Sequence, residues 1–263
     1  MQKVNITIIT NVMKRTQIML ACALVLAFSG VTNLHATEEG LKEGKATIRA
    51  MHGSVEYFDN GTWLPAKPNM KFGPGIAIRT GADGVADLAV NGMSSAVRLT
   101  NNTVLRIPTM SYVGSDQEGD RTTMLNLESG SIIGNVKKIT ANSRYEIMTP
   151  HGVAGIRGTD FAVEVIRYDN INFRVTFSSI SGVITVSAVV NGTTETRTLN
   201  TGMSWTIGED VKRISPEYLE YLQRQIINLV MSMVPPGPIV SPRGPIILPP
   251  FIGGPPQGRP ASQ

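Results

Sequence analysis

The stretch that decides the fold covers residues 145–165 and reads YEIMTPHGVAGIRGTDFAVEV. It begins and ends with alternating apolar runs, at 145–148 and 161–165, which are typical of half-buried β-strands. The segment between these runs contains one proline and three glycines, Pro150, Gly152, Gly155 and Gly158. Such punctuation predicts a loop with a demanding backbone path, because glycine tolerates positive φ and lets another part of the chain approach closely.

Arg157 is the charged residue at the centre of this loop. Its neighbours are largely apolar, so we expect a partly buried guanidinium that is partnered by Asp160 or by loop carbonyls. Such an arginine either clamps a ligand or ties a kinked crossover to the sheet, and we favour the structural interpretation. The candidate structural or binding loop consists of Thr149, Pro150, Gly155, Arg157, Gly158, Thr159, Asp160 and Phe161.

The N-terminal segment predicts a secretory signal peptide over residues 1–36. Lys14 and Arg15 precede an apolar run of eleven residues at 18–28, which is shorter than the about 20 residues that span a bilayer. We expect cleavage after Ala36, with translation starting at Met1 or Met13. The alternative is an uncleaved membrane anchor.

Removal of this leader changes what the composition implies. The single cysteine of the chain, Cys22, lies within the leader, so disulfides and thiol catalysis are not expected in the exported protein. The leader also carries three basic and no acidic residues, so its loss lowers the formal net charge from +4 to +1. A nearly neutral chain gives no support for nucleic-acid binding.

The remainder of the chain predicts an all-β domain. Residues 37–45 are polar and are expected to be flexible, whereas residues 46–207 alternate between apolar and polar types, with frequent turn signals. Three Asn-Gly pairs, at 60–61, 91–92 and 191–192, predict type I′ hairpin turns. We therefore expect a single multi-stranded antiparallel domain of sandwich or solenoid-like form.

An ordered set of motifs in this domain resembles a FecR-type domain. The resemblance covers about residues 46–207 and implies an extracytoplasmic all-β module, which in the full family architecture passes a signal from an outer-membrane receptor to a cytoplasmic sigma factor. Only twelve residues precede Met13, so we expect this module to stand without the anti-sigma region. The motifs are Gly53-x-Val55, Trp63, Ile78-Arg79-Thr80-Gly81, Leu99-x-x-Asn102-Thr103, Leu127-x-x-Gly130, Thr149-Pro150, Arg157-Gly158-Thr159-x-Phe161 and Ser181-Gly182-Val183-x-x-Val186.

Two further segments follow the β domain. Residues 215–233 predict an amphipathic helix with Ser215 as its N-cap. Its apolar seam either docks on the β domain or mediates self-association. Residues 234–263 are proline-rich, so we expect a disordered or polyproline tail that serves as a spacer or docks on a partner. The residues of the seam proposed for self-association are Leu219, Leu222, Ile226 and Leu229.

The sequence contains no convincing catalytic constellation, metal motif or cofactor motif. His151 beside Asp160 could supply a general base, but a loop histidine after proline is more often solvated. We therefore expect a periplasmic or secreted, non-enzymatic binding or sensing module of the bacterial envelope, with an envelope protein or polymer as its partner. The alternatives are a β-sheet hydrolase or lyase that acts on polysaccharide, and a structural envelope protein tethered by its tail.

Overall fold

The structure of the protein is a computed structural model, and it describes residues 40–92, 95–114, 119–169 and 171–234. Strands dominate this part of the chain, and one helix follows them, which confirms the predicted fold class. The strands are β1 Lys42–Glu43, β2 Ala46–His52, β3 Val55–Asp59, β4 Thr62–Pro65, β5 Lys71–Phe72, β6 Ile76–Thr80, β7 Val85–Val90, β8 Ser95–Leu99, β9 Val104–Val113, β10 Asp120–Val136, β11 Arg144–Met148, β12 Gly152–Ile156, β13 Asp160–Arg167, β14 Phe173–Ser181, β15 Ile184–Val190, β16 Thr193–Leu199, β17 Met203–Thr206 and β18 Val211–Arg213; the helix is α1 Pro216–Met233.

The strands form two sheets. Sheet A has the order β4-β3-β6-β9-β10-β11-β12-β15-β16, with β1 paired to the end of β9. Sheet B has the order β5-β2-β7-β8-β10-β13-β14-β17-β18. Neighbouring strands are antiparallel as predicted, except that β10 and β11 run parallel.

Strand β10 belongs to both sheets. Its first part, up to Ser129, pairs within sheet A, and its last part, from Gly130, pairs within sheet B. Gly130 has a φ of +87°, and a Cβ there would lie 2.4 Å from Thr103 Oγ1. Any other residue would therefore meet both backbone strain and a steric clash at the point where the strand passes from one sheet to the other.

A single hydrophobic core fills the space between the sheets. Trp205, Phe161 and Phe177 are its largest fully buried side chains. The ring of Phe161 lies over Gly134 of the neighbouring strand, because a Cβ at Gly134 would be only 2.2 Å from Phe161 Cζ. The alternation that predicted the strands thus also sets which side chains fill the core.

Helix α1 covers the outer face of sheet B. Ser215 caps it by accepting a hydrogen bond from the backbone N–H of Tyr218, as predicted. Its apolar side contacts sheet B residues such as Ile133 and Ala89. This corrects the expectation of self-association through the predicted seam, because sheet B already covers these side chains. Of that seam, Leu222, Ile226 and Leu229 are buried and Leu219 is partly buried.

The turns and the ends of the chain complete the fold. All three Asn-Gly pairs have positive φ at both positions, for example 46° at Asn60 and 86° at Gly61, which confirms the type I′ prediction. β1 pairs with β9, so this part of the segment predicted to be flexible is tied to sheet A. The predicted signal peptide, residues 1–36, and the proline-rich tail from residue 235 onward lie outside the described residues.

Candidate functional site

The stretch at 145–165 forms two strands of sheet A followed by a corner that leads into sheet B. β11 and β13 confirm the two predicted strands. The loop predicted between them instead contains a third strand, β12, which pairs with β11 and β15. The prediction failed because three glycines suggested irregular backbone, whereas Gly152 and Gly155 both lie in the regular ladder.

The turn between β11 and β12 is closed by Thr149. Its side-chain hydroxyl donates to the carbonyl of Gly152 at 2.8 Å, and its oxygen accepts from the backbone N–H of Gly152 at 3.1 Å. The backbone N–H of Thr149 also donates to the same carbonyl at 2.9 Å. Thr149 and Pro150 therefore build a tight hairpin end.

The corner between β12 and β13 is held by buried polar contacts. Gly158 has a φ of +67°, and a Cβ there would lie 3.1 Å from Lys138 Cα. Thr159 is buried and donates from Oγ1 to the carbonyl of Val183 at 3.1 Å. This corner fixes the point at which the chain leaves sheet A.

Arg157 does not take the predicted position. It is exposed, and Asp160 binds other partners: its carboxylate accepts from Asn135 Nδ2 at 2.6 Å and from Ser181 Oγ at 2.8 Å. The expectation of a partly buried guanidinium paired with Asp160 is therefore wrong. The burial was inferred from apolar neighbours in sequence. Ala154 and Ile156 point into the core, but Arg157 follows them in the alternation and points outward at the end of the strand.

The candidate residues are not gathered into one site. Thr149 and Pro150 precede β12, whereas Arg157 and Asp160 follow it, and a five-residue strand spans about 17 Å. His151 lies at the first end and contacts the ring of Phe173, with ring centroids 5.5 Å apart, so it forms no dyad with Asp160. Phe161 belongs to the core, and Gly155 lies on the outer face of sheet A.

This outer face of sheet A is the exposed counterpart of the face that α1 covers on sheet B, and we call it the open face. It consists of the outward side chains from β3 to β16. Successive strands place them in rows, such as Arg106, Asn126, Met148, Val153, Ser187 and Thr196, which are neighbours in register.

An aromatic and ionic cluster lies at one end of the open face. Arg79 Nε donates to Glu56 Oε2 at 2.5 Å, and the guanidinium carbon of Arg79 lies 4.4 Å from the centre of the Trp63 ring. Phe58 packs against Trp63 with ring centroids 5.2 Å apart and is 36 % exposed. The cation therefore lies between a carboxylate and an aromatic face, an arrangement that holds both side chains in place.

Two more ion pairs continue across the open face. Arg106 pairs with Glu128, and Arg144 Nε donates to Glu146 Oε1 at 2.6 Å. Beyond them Gly155 is exposed, and a Cβ there would meet no heavy atom closer than 3.9 Å. The open face thus changes from arginine–glutamate pairs on β9 to β11 to a threonine-rich edge on β16.

In the sequence, Trp63 and Arg79 stand out only as motif residues. Their partnership depends on the pairing of β3 with both β4 and β6. Unless this strand pairing is known, the sequence gives no indication that four residues come together: Glu56, Phe58, Trp63 and Arg79. The signal available was the Asn-Gly turn at 60–61, which places Phe58 opposite Trp63 in a hairpin.

A different ionic cluster fixes α1 on the other side of the molecule. Arg98 binds the buried Asp87 through two bonds, Nε to Oδ1 at 2.7 Å and Nη2 to Oδ2 at 2.8 Å. Its Nη1 donates to Gln225 Oε1 of α1 at 2.8 Å. The hydrogen bond with Asp87 raises the pKa of Arg98, so the guanidinium stays charged while it joins helix and sheet.

The described residues bring no three histidine, cysteine, aspartate or glutamate side chains together in a way that would hold a metal ion. Within the same ranges, no helix is both long and apolar enough to span a bilayer.

In the described part of the chain, two sheets around one core, with a helix docked on the outer face of sheet B, define an all-β sandwich module. Residues 77–181 match the family described as FecR protein, so this part of the chain is a FecR-type domain, as the motifs predicted. The match lies within the segment 46–207 that carries the resemblance.

The chain is similar to solved structures, among them two from the same organism. Both are proteins from Parabacteroides distasonis ATCC 8503 that have been proposed to be anti-sigma factors. The first has 17 % identity and a TM-score of 0.43 and covers 56 % of this chain. The second has 14 % identity and a TM-score of 0.41 and covers 55 %. The match spans less than two thirds of either structure, 64 % and 62 % respectively. No curated protein matches the chain.

Proposed function

We propose that this protein is an exported, non-enzymatic sensing module of the bacterial envelope that binds a protein partner through its open face. The match of residues 77–181 to the FecR family supports a regulatory role, because the resemblance implies a module that passes on a signal. The predicted signal peptide supports a periplasmic or secreted location. The assignment of the binding surface rests on one observation. A cluster on a sheet face that α1 leaves open consists of Glu56, Phe58, Trp63 and Arg79.

The chemistry of this cluster suits protein recognition. Tryptophan and arginine are the residue types that most often dominate the binding energy of protein interfaces. Here the Arg79–Glu56 pair and the contact with Trp63 hold both side chains before a partner arrives, which lowers the entropy cost of binding. The salt bridges further along the face supply alternating charge, which gives specificity and register to an interface more than raw affinity.

The corner at 157–161 has a structural role in this proposal. Its polar groups bond to other parts of the chain, and its one exposed charge, Arg157, lies at the end of β12. We therefore assign partner recognition to the open face and the positioning of sheets A and B to the corner.

The test is capture of partners from an envelope extract by the purified protein, followed by affinity measurement with the partner recovered. Trp63→Ala and Arg79→Glu should each weaken binding by about tenfold or more, which corresponds to the loss of a hot-spot contact. Arg224→Glu is the matched control, because Arg224 is an exposed arginine of α1 in an ion pair with Glu220. This variant should bind like the wild type.

Three outcomes would contradict the proposal. One is a partner whose affinity is unchanged by both open-face variants. Another is binding to purified envelope polysaccharide with release of reducing ends that is lost in Asp160→Asn, which would establish the hydrolase or lyase alternative. The third is loss of correct localisation on deletion of residues 235–263 with no captured partner, which would favour a tethered structural protein.

A further inference from the structure

β16 is the last strand of sheet A and has an open edge. Among the described residues it pairs with β15 over its full length, from Ile184 opposite Leu199 to Val190 opposite Thr193, and with no strand on its other side. Five of its seven residues are exposed. Its backbone N–H and C=O groups on that side can therefore accept another strand.

The side chains of β16 are sorted by face. Thr194, Thr196 and Thr198 point outward onto the open face, as shown by the hydrogen bond between Thr196 and Ser187 at 3.0 Å. Glu195 and Arg197 lie on the opposite side, together with the buried Leu199. They form an ion pair of 2.8 Å, with side chains 33 % and 50 % exposed.

This sequence is complementary to itself. When two copies of β16 lie antiparallel across a two-fold axis at Thr196, Glu195 of each copy faces Arg197 of the other, and Thr194 faces Thr198. Opposite charges and threonine pairs directly across an antiparallel ladder are both favourable. A two-fold axis at residue 195 would instead place glutamate against glutamate, and one at residue 197 would place arginine against arginine.

We propose that two copies of this chain pair through β16 in this single register and continue sheet A from one copy into the other. The occupant of the edge is a second copy because the charge pattern selects it: each strand carries both members of the pair, one residue on either side of the axis. The interface is isologous, so it closes at a dimer. The dimer also joins the open faces of two copies into one surface, which goes beyond the function proposed above.

The experiment uses charge exchange. The full chain and its variants are purified after export, and their molar mass is measured by sedimentation over a wide range of concentration. The wild type should be a dimer. Glu195→Arg places arginine against arginine twice, and Arg197→Glu places glutamate against glutamate twice, so each variant alone should dimerise at least about tenfold more weakly.

Complementation separates this proposal from a general loss of folding. An equimolar mixture of the Glu195→Arg and Arg197→Glu variants restores both opposite-charge pairs and should form a heterodimer. The double variant Glu195→Arg with Arg197→Glu should regain the homodimer. Glu220→Arg on α1 makes the same change of charge away from β16 and should leave the dimer intact.

The proposal is overturned if the wild type stays monomeric at every concentration. It is also overturned if either single variant dimerises as strongly as the wild type, or if the mixture shows no heterodimer while each variant retains the circular dichroism spectrum of the wild type.

Discussion

The replacement of Gly134 by alanine tests whether the core is built as described. A Cβ at this position would lie 2.2 Å from Cζ and 2.5 Å from Cε1 of Phe161. Favourable carbon–carbon contacts begin near about 3.5 Å, so the ring would have to move by more than about 1 Å. Phe161 is fully buried and has another ring, that of Tyr145, 6.4 Å away. A displacement of this size in a close-packed core therefore meets other side chains.

The expected cost lies at the upper end of the range for overpacking, about 3 kcal/mol. For a domain of this size, such a loss lowers Tm by about 6–12 °C. The assay is urea unfolding followed by circular dichroism. Gly155→Ala is the matched control: this glycine also lies within a strand, but its Cβ would meet no heavy atom closer than 3.9 Å. That variant should be as stable as the wild type or slightly more stable.

A double-mutant cycle isolates the contact. Phe161→Leu alone should cost less than the about 3–5 kcal/mol typical of Phe→Ala, because leucine fills part of the space. In the presence of leucine, the added methyl group of Gly134→Ala should become tolerable, with a coupling energy of about 1–3 kcal/mol. Additive effects of the two changes, or equal effects of alanine at 134 and 155, would refute the packing described here.

Three further changes test the corner, the helix attachment and the buried phenol. Gly158→Val should lower the free energy of unfolding by about 1–3 kcal/mol, since it combines positive φ with a close approach to Lys138, and a neutral thermal melt would show that the corner is ordinary. Asp87→Ala should lower the free energy of unfolding in urea by about 3–5 kcal/mol, because the Arg98 side chain is only 14 % exposed and would lose its carboxylate partner. The double variant with Arg98→Met should recover much of this loss. Failure to recover it would contradict the ion-pair account. Burial raises the pKa of Tyr145, so the folded chain holds the phenolic proton more tightly than the unfolded chain, and stability that is present below about pH 10 should decline above it. The measurement is the urea midpoint across alkaline pH, and Tyr145→Phe should make its decline with pH shallower. An unchanged slope would show that the phenol is exposed to solvent.

Local physical chemistry made the strands, turns and helix predictable from the sequence. The Asn-Gly pairs at 60–61, 91–92 and 191–192 need no partner to adopt positive φ, so their turns could be assigned directly. Ser215 followed by proline begins a helix through contacts within one turn. The ordered motifs likewise predicted the FecR-type domain, because a family match depends on residue order rather than on contacts.

Contacts between distant residues decided the rest. The sequence around Arg157 indicated burial, yet the end of a strand turned this side chain outward, and Asp160 found Asn135 and Ser181 instead. The helix seam favoured docking on the domain and left pairing with a second copy as the alternative, and the apolar outer face of sheet B decided in favour of docking. Trp63 and Arg79 meet because β3 pairs with strands on both sides. Side-chain alternation can be read from the sequence, but which strand lies beside which depends on how the strands of both sheets pack around one core.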